Sequence, residues 1–299
     1  MNMMTVKGLS KRYKDLIAVE DISFNLEQDR IYGLIGRNGA GKTTLMRMLT
    51  SQLEASSGEI RIFGEHPREN SRVLSQICFI KESQQYPDHY KVRDALDVGA
   101  LLFPQWDRGY ALELLRDFDL PEKRQVKKLS RGMLSSLGII IGLASRAPLT
   151  MFDEPYLGLD AVAREIFYDR LLEDYQLNPR TFIISTHLID EISRILEHIL
   201  LIDKGRLVLD TETDELRGTA YTVTGPASAV ETFLQGRSVM SREHIGGYIK
   251  ASVRETLNSQ AQRQSVELGL DLSSVSLQQL IVYMTGKRQN DREREEKML

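Results

Sequence analysis

The stretch Gly36-Arg37-Asn38-Gly39-Ala40-Gly41-Lys42-Thr43-Thr44 decides the fold of this chain. It matches G-x-x-x-x-G-K-[ST], and each residue type has a physical reason. The glycines let backbone N–H groups turn inward without a Cβ clash, forming an anion nest at a helix N-terminus. Lys42 brings a point charge to the β- and γ-phosphates of a nucleotide, and the hydroxyl of Thr43 suits Mg²⁺. Gly36, Asn38, Gly39, Ala40, Gly41, Lys42, Thr43 and Thr44 are therefore the expected nucleotide-binding set.

Working outward, RIYGLIG reads as a strand running into this loop, and KTTLMRMLTSQL as the helix leaving it. Strand, tight loop and helix in that order form a phosphate-holding unit. Before it lie two strand patterns, MTVKGL and AVEDISFNL; after it come GEIRIFG and SQICFI. Cys78, the only cysteine, sits in the last of these and is expected to pack as a small apolar residue. From about Val92 to Ala147 the pattern turns helical, with Leu112, Leu115 and Phe118 marking one apolar face. Strands then resume at LTMFDE and TFIIST, each followed by a helical pattern, and ILLIDKGRLVL closes as a hairpin about Lys204-Gly205. Strands alternating with helices imply an α/β fold with a mainly parallel sheet covered on both faces.

Pro148-Leu149-Thr150-Met151-Phe152-Asp153-Glu154 is a buried-strand pattern ending in two acids. A carboxylate at the C-terminal edge of a parallel strand sits where ligands bind in such sheets. Asp153 is placed to hold Mg²⁺ and Glu154 to polarise the attacking water as general base.

Leu129-Ser130-Arg131-Gly132-Met133 resembles the LSGGQ-type signature of ATP-binding cassette (ABC) ATPases, and it precedes the acid pair in the family's order. The resemblance covers about residues 2–215. It implies that two nucleotide domains stack head to tail, so that Ser130, Arg131, Gly132 and Met133 meet the γ-phosphate held by the other subunit. A Ser hydroxyl, glycine N–H groups and a helix N-terminus all favour an anion. By the same resemblance Tyr13 stacks on adenine, Asp160 of Gly158-Leu159-Asp160 is the acid of the dimer loop, and His187 contacts the γ-phosphate. The implied fold is a P-loop NTPase ABC domain, 1–215, with an antiparallel β subdomain and a helical subdomain at about 84–147.

The sequence departs from the family pattern at several places. Glu82 stands where a glutamine senses metal and γ-phosphate; a carboxylate can still ligate Mg²⁺, but it adds negative charge beside phosphates. Arg131 replaces the first glycine of the signature pair, Met133 its glutamine, and Leu157 the serine of the dimer loop. Ser130, Gly132, Glu154 and His187 are intact, which implies a hydrolytically competent site.

Beyond Asp214-Glu215 the pattern changes. TAYTVTG reads as a strand and ASAVETFLQG as a helix; RSVMSRE and GGYIKASV pair around a turn; ETLNSQAQRQS is helical; VELGLDL is a strand. The order β-α-β-β-α-β suggests a small ferredoxin-like domain at 216–286. In the helix that follows, Leu277, Leu280, Ile281 and Met284 form one stripe, and 287–299 is a charged tail. This domain regulates, dimerises or adds packing; the sequence leaves all three open.

A net charge of −3 gives no basic surplus of the kind non-specific nucleic-acid binding needs, so no nucleic acid is expected as a partner. The apolar run Leu137–Ala144 is far shorter than the ~20 residues that span a bilayer. The resemblance therefore implies a cytoplasmic subunit, peripheral on the inner face of the membrane, that binds ATP and Mg²⁺. It would work as a homodimer, or a heterodimer with a related ATPase subunit, on a separate integral-membrane permease. The single cassette and added C-terminal domain resemble bacterial efflux subunits, including those for peptide antibiotics. Two rival readings are a non-transport ABC ATPase acting on ribosomes or DNA, and an ATP sensor without turnover. Ribosome-acting members usually carry two cassettes and DNA-repair members a long coiled-coil insertion, neither of which is present, and intact Glu154 and His187 oppose a pure sensor.

Overall fold

The computed structural model describes residues 2–82 and 84–284, so the expected tail at 287–299 lies outside the described residues. The chain forms two compact units: one up to His187 plus Ile195–Asp210, the other Leu188–Arg194 plus Thr211 onward.

In the first unit, β1 (Asn2–Tyr13), β2 (Leu16–Glu27) and β4 (Ser57–Ile62) make an antiparallel sheet in the order β2-β1-β4. A six-stranded sheet runs β5-β6-β7-β3-β8-β9, from β3 (Ile31–Ile35), β5 (Ile77–Ile80), β6 (Leu149–Asp153), β7 (Thr181–Thr186), β8 (His198–Asp203) and β9 (Arg206–Glu212). Pairing is parallel from β5 through β8. The central strands are mostly apolar and are buried along their whole length, as a sheet covered on both faces requires. Helix α1 (Lys42–Leu49) turns Leu45, Met46, Met48 and Leu49 into a core shared with Met4, Val6 and Leu9 of β1 and Met151 and Ile183 of the large sheet.

The remaining helices of this unit are α2 (Ser71–Leu74), α3 (Val92–Leu102), α4 (Arg108–Asp117), α5 (Arg131–Ala144) and α6 (Ala161–Leu177). The expected apolar face of α4 needs correction. Ala111, Leu114 and Leu115 are buried whereas Leu112 is exposed, because the helix turns Ala111, not Leu112, inward with Leu115 one turn on. The apolar run Leu137–Ala144 is the wholly buried half of α5.

Cys78 lies on β5 and is buried, which pushes its thiol up to about 12. Since only the thiolate attacks, the folded chain at pH 8 is expected to resist an aromatic disulfide reagent that labels the denatured chain fully. Stoichiometric labelling of the folded chain would contradict the burial.

The second unit contains the one-turn helices α7 (Ile189–Ile192) and α8 (Thr213–Leu216), then β10 (Tyr221–Pro226), α9 (Ala227–Leu234), β11 (Val239–Ile245), β12 (Tyr248–Val253), α10 (Ser259–Glu267) and β13 (Asp271–Ser274). Its sheet runs β11-β12-β10-β13 with antiparallel neighbours, the ferredoxin-like order. The strand expected across VELGLDL is displaced. The Asn258 side chain accepts from the Ala261 N–H and starts α10, which continues through Val266 and Glu267 with Val266 exposed, so the strand begins only at Asp271. Residues 277–284 are helical, with Leu277, Leu280 and Ile281 buried.

Candidate active site

Parallel pairing brings three strand ends to one edge. Ile35 of β3 is in register with Thr186 of β7, and Asp153 of β6 with Ser185 of β7. The phosphate loop leaves β3 at this edge, Glu154 follows β6, and His187 follows β7. Gly41 caps α1 at φ 109°, a left-handed conformation in which a Cβ would lie 2.5 Å from the Ala18 carbonyl oxygen. Lys42 is buried and points back into the loop, donating to the Gly36 carbonyl at 2.7 Å and pairing with Glu154 Oε1 at 3.1 Å.

Thr43 Oγ1 donates to Asp153 Oδ2 at 2.7 Å, and Ser185 Oγ donates to Asp153 Oδ1 at 2.6 Å. Thr43 and Asp153 thus bring two hard oxygens together. No group of three or more His, Cys, Asp or Glu suited to a metal occurs among the described residues. That donor set fits Mg²⁺, which keeps waters and takes phosphate oxygens instead of seeking an all-protein cage.

Glu154 is buried and sits at φ 51°, the left-handed region that a non-glycine residue occupies only when its surroundings hold it there. Its N–H donates to Ser185 Oγ at 2.9 Å. Its Oε2 accepts from the Tyr156 hydroxyl and lies 2.8 Å from His187 Nδ1. Glu154 Oε1 is buried and accepts no hydrogen bond among the described residues, its contact being the Lys42 ammonium. Lys42, Thr43, Asp153, Glu154 and His187, expected from sequence, therefore meet at one place. Ser185 and Tyr156 were not anticipated. The polar Ser185-Thr186 pair ending the otherwise apolar β7 was a signal for the first; nothing in the sequence marked the second.

Other expected residues lie elsewhere. Tyr13 ends β1 as a residue 41% exposed, with the Lys11 ammonium 5.1 Å from its ring centroid, leaving aromatic surface on which a base can stack. Ser130 caps α5, its Oγ accepting from the Met133 N–H at 3.2 Å. Arg131 reaches Glu82 at 2.6 Å, so the two departures from the family pattern neutralise each other. Both are well exposed, so this pair adds little stability. Gly132 packs so close to Gly158 that a Cβ would lie 2.4 Å from its carbonyl oxygen, and Ser135 Oγ donates to the Leu157 carbonyl at 2.6 Å. The signature helix and the 156–160 loop are thereby tied together in one chain. Asp160 caps α6 through the Ala163 N–H at 2.8 Å.

A Lys-Thr phosphate loop beside a carboxylate at the end of a parallel strand defines a P-loop nucleoside triphosphatase. The family model "ABC transporter" matches residues 19–157. The ABC transporter ATP-binding protein YtrB of Bacillus subtilis is 28% identical over 215 residues, 72% of this chain and 74% of that protein. The bacitracin transport ATP-binding protein BcrA of Bacillus licheniformis is 32% identical over 212 residues, 70% of this chain and 69% of that protein. A solved ATP-binding subunit of an ABC transporter superposes with a TM-score of 0.65 at 25% identity, covering 72% of this chain and 91% of that one. The chain belongs to the ATP-binding proteins of ABC transporters, and is an ATP-binding ATPase cassette that drives transport. No helix among the described residues is long and apolar enough to cross a membrane.

Proposed function

We propose that this chain is the ATPase subunit of an exporter, acting in pairs on a separate membrane permease from the inner face of the membrane. The observation that carries the hydrolytic reading is the meeting of Lys42, Thr43, Asp153, Glu154 and His187 at one sheet edge. Membrane coupling and export rest on the kinship with the bacitracin transport protein and on the resemblance to efflux subunits.

In this reading the loop from Gly36 to Thr44 wraps the phosphates, and Lys42 moves its charge from Glu154 to the β- and γ-phosphates. Tyr13 stacks on the adenine. Thr43 and Asp153, with Glu82 as an auxiliary acid, would hold Mg²⁺, and the ion would supply neutralisation of phosphate charge. Glu154 takes the proton of the attacking water, and His187 contacts the γ-phosphate. Ser130, Arg131, Gly132 and Met133 face the nucleotide of the second subunit, with Asp160 in the adjoining loop. In that arrangement Arg131 would give up its pairing with Glu82 for phosphate.

The test is co-expression with a multi-span membrane protein encoded beside this chain. The expected result is sedimentation with membranes only when that protein is present, and ATPase activity that changes on its addition. Sedimentation with ribosomes through high-salt washes, in place of membranes, would overturn the transport reading.

A further inference from the structure

Tyr156 occupies the centre of the site, although none of the roles above uses it. Its side chain is 2% exposed and its hydroxyl has four polar neighbours. The backbone N–H of His187 donates to it at 3.0 Å and the Thr186 hydroxyl at 3.1 Å, while it donates to Glu154 Oε2. A phenol has one proton to give and two lone pairs to receive, so these three bonds saturate it. His187 Nδ1, 3.1 Å from the same oxygen, must bond elsewhere, and Glu154 Oε2 stands 2.8 Å from it. Nδ1 therefore carries a proton toward Glu154, and the opposite nitrogen, Nε2, can donate to a phosphate when the ring is doubly protonated.

Three groups hold the Glu154 carboxylate: Lys42 pairs with Oε1 as a charge, and His187 and Tyr156 meet Oε2. Lys42 and His187 are also the groups read as phosphate contacts, so both have a second duty when ATP arrives. Tyr156 has none; its burial keeps it from substrate. We propose that Tyr156 is a positioning residue, whose hydroxyl holds the Glu154 carboxylate and the His187 main chain in register while Lys42 and the His187 ring turn to the phosphates. This rests on the reading of Glu154 and His187 as the hydrolytic pair. Glu154, with its left-handed backbone, is held at two points: Ser185 accepts from its N–H and Tyr156 donates to its carboxylate, so that main chain and side chain are held separately.

The experiment is steady-state ATPase kinetics on the full chain carrying Tyr156→Phe, with melting temperature recorded alongside. The expected result is a kcat at least about tenfold lower with KM for ATP within about twofold, as removal of an interaction that matters only in the transition state requires. Thr186→Val, which removes one donor to the hydroxyl but keeps the shape, should lower kcat in the same direction by less. In a Glu154→Gln background, with residual turnover followed by radiolabelled ATP, Tyr156→Phe should change the rate less than about twofold; a merely structural tyrosine would cut it equally in both backgrounds. If Glu154→Gln keeps full activity, the reading of the site fails and this inference with it. If Glu154→Gln is inactive but Tyr156→Phe turns over within twofold of the unaltered chain, the Tyr156 inference alone is overturned. Should Tyr156→Phe not fold, an unchanged kcat in Thr186→Val overturns it equally.

Discussion

Glu154→Gln is expected to lower ATP turnover at least about a hundredfold while leaving ATP binding intact, since general-base catalysis contributes about 10²–10⁴-fold. The amide keeps the size and the left-handed backbone of the site, and Ser185 still receives the N–H at 154. What disappears is the acceptor for a proton. Binding should not suffer, because the same substitution removes the carboxylate that pairs with Lys42 at 3.1 Å and leaves that ammonium free for phosphate. KM for ATP is therefore expected to stay level or fall, and the ATP-bound pair of subunits to accumulate because hydrolysis no longer parts them. Light scattering on the variant with and without ATP measures the pairing, and phosphate release measures turnover. A variant that retains more than about one tenth of the activity would remove Glu154 from the role of base.

Much of this site was legible because its chemistry is local. Gly36 through Thr44 is one loop whose backbone does the binding, and Asp153-Glu154 is adjacent on one strand end, so contiguous residue types carry the signal. The parallel sheet was readable for a similar reason: β3, β6 and β7 are continuous apolar runs, the mark of strands buried on both faces. Relations between distant segments were not legible. Glu82 and Arg131 each looked like an isolated departure, and only the packing of α5 against the sheet edge makes them partners. Tyr156 belongs to the same class, since its hydroxyl is defined by β7 atoms some thirty residues later. The inward face of α4 was misread because Leu112 and Leu115 fit a helical stripe as well as Ala111 and Leu115 do. Periodicity alone does not say which phase a neighbouring helix will bury.

The largest expected loss of stability comes from a group far from the chemistry. Asp174 of α6 is buried between two arginines, pairing with Arg146 and accepting from Arg180 Nη2 at 2.5 Å. Each arginine has further partners. Arg180 donates to the Leu143 carbonyl at 2.9 Å and lies over the Phe182 ring, while Arg146 reaches Asp107 at 3.0 Å and lies over the Tyr110 ring. Burial, and then the like charge of Arg146, push Arg180 down to about 10, so this environment opposes a lone cation. Asp174→Ala leaves two neighbouring guanidiniums with their central anion gone. Breaking a buried pair from one side costs about 3–5 kcal/mol. For a unit of about 200 residues that is a fall in melting temperature on the order of 10 °C. Asp174→Asn, which keeps acceptor geometry but loses the charge, should fall between. Nucleotide affinity should be spared, because Arg180 precedes the N-terminal end of β7 whereas Thr186 and His187 lie at its other end. Thermal unfolding of both variants beside an ATP-binding measurement tests this: melting within about 2 °C of the unaltered chain would show that Arg146 and Arg180 do not depend on Asp174.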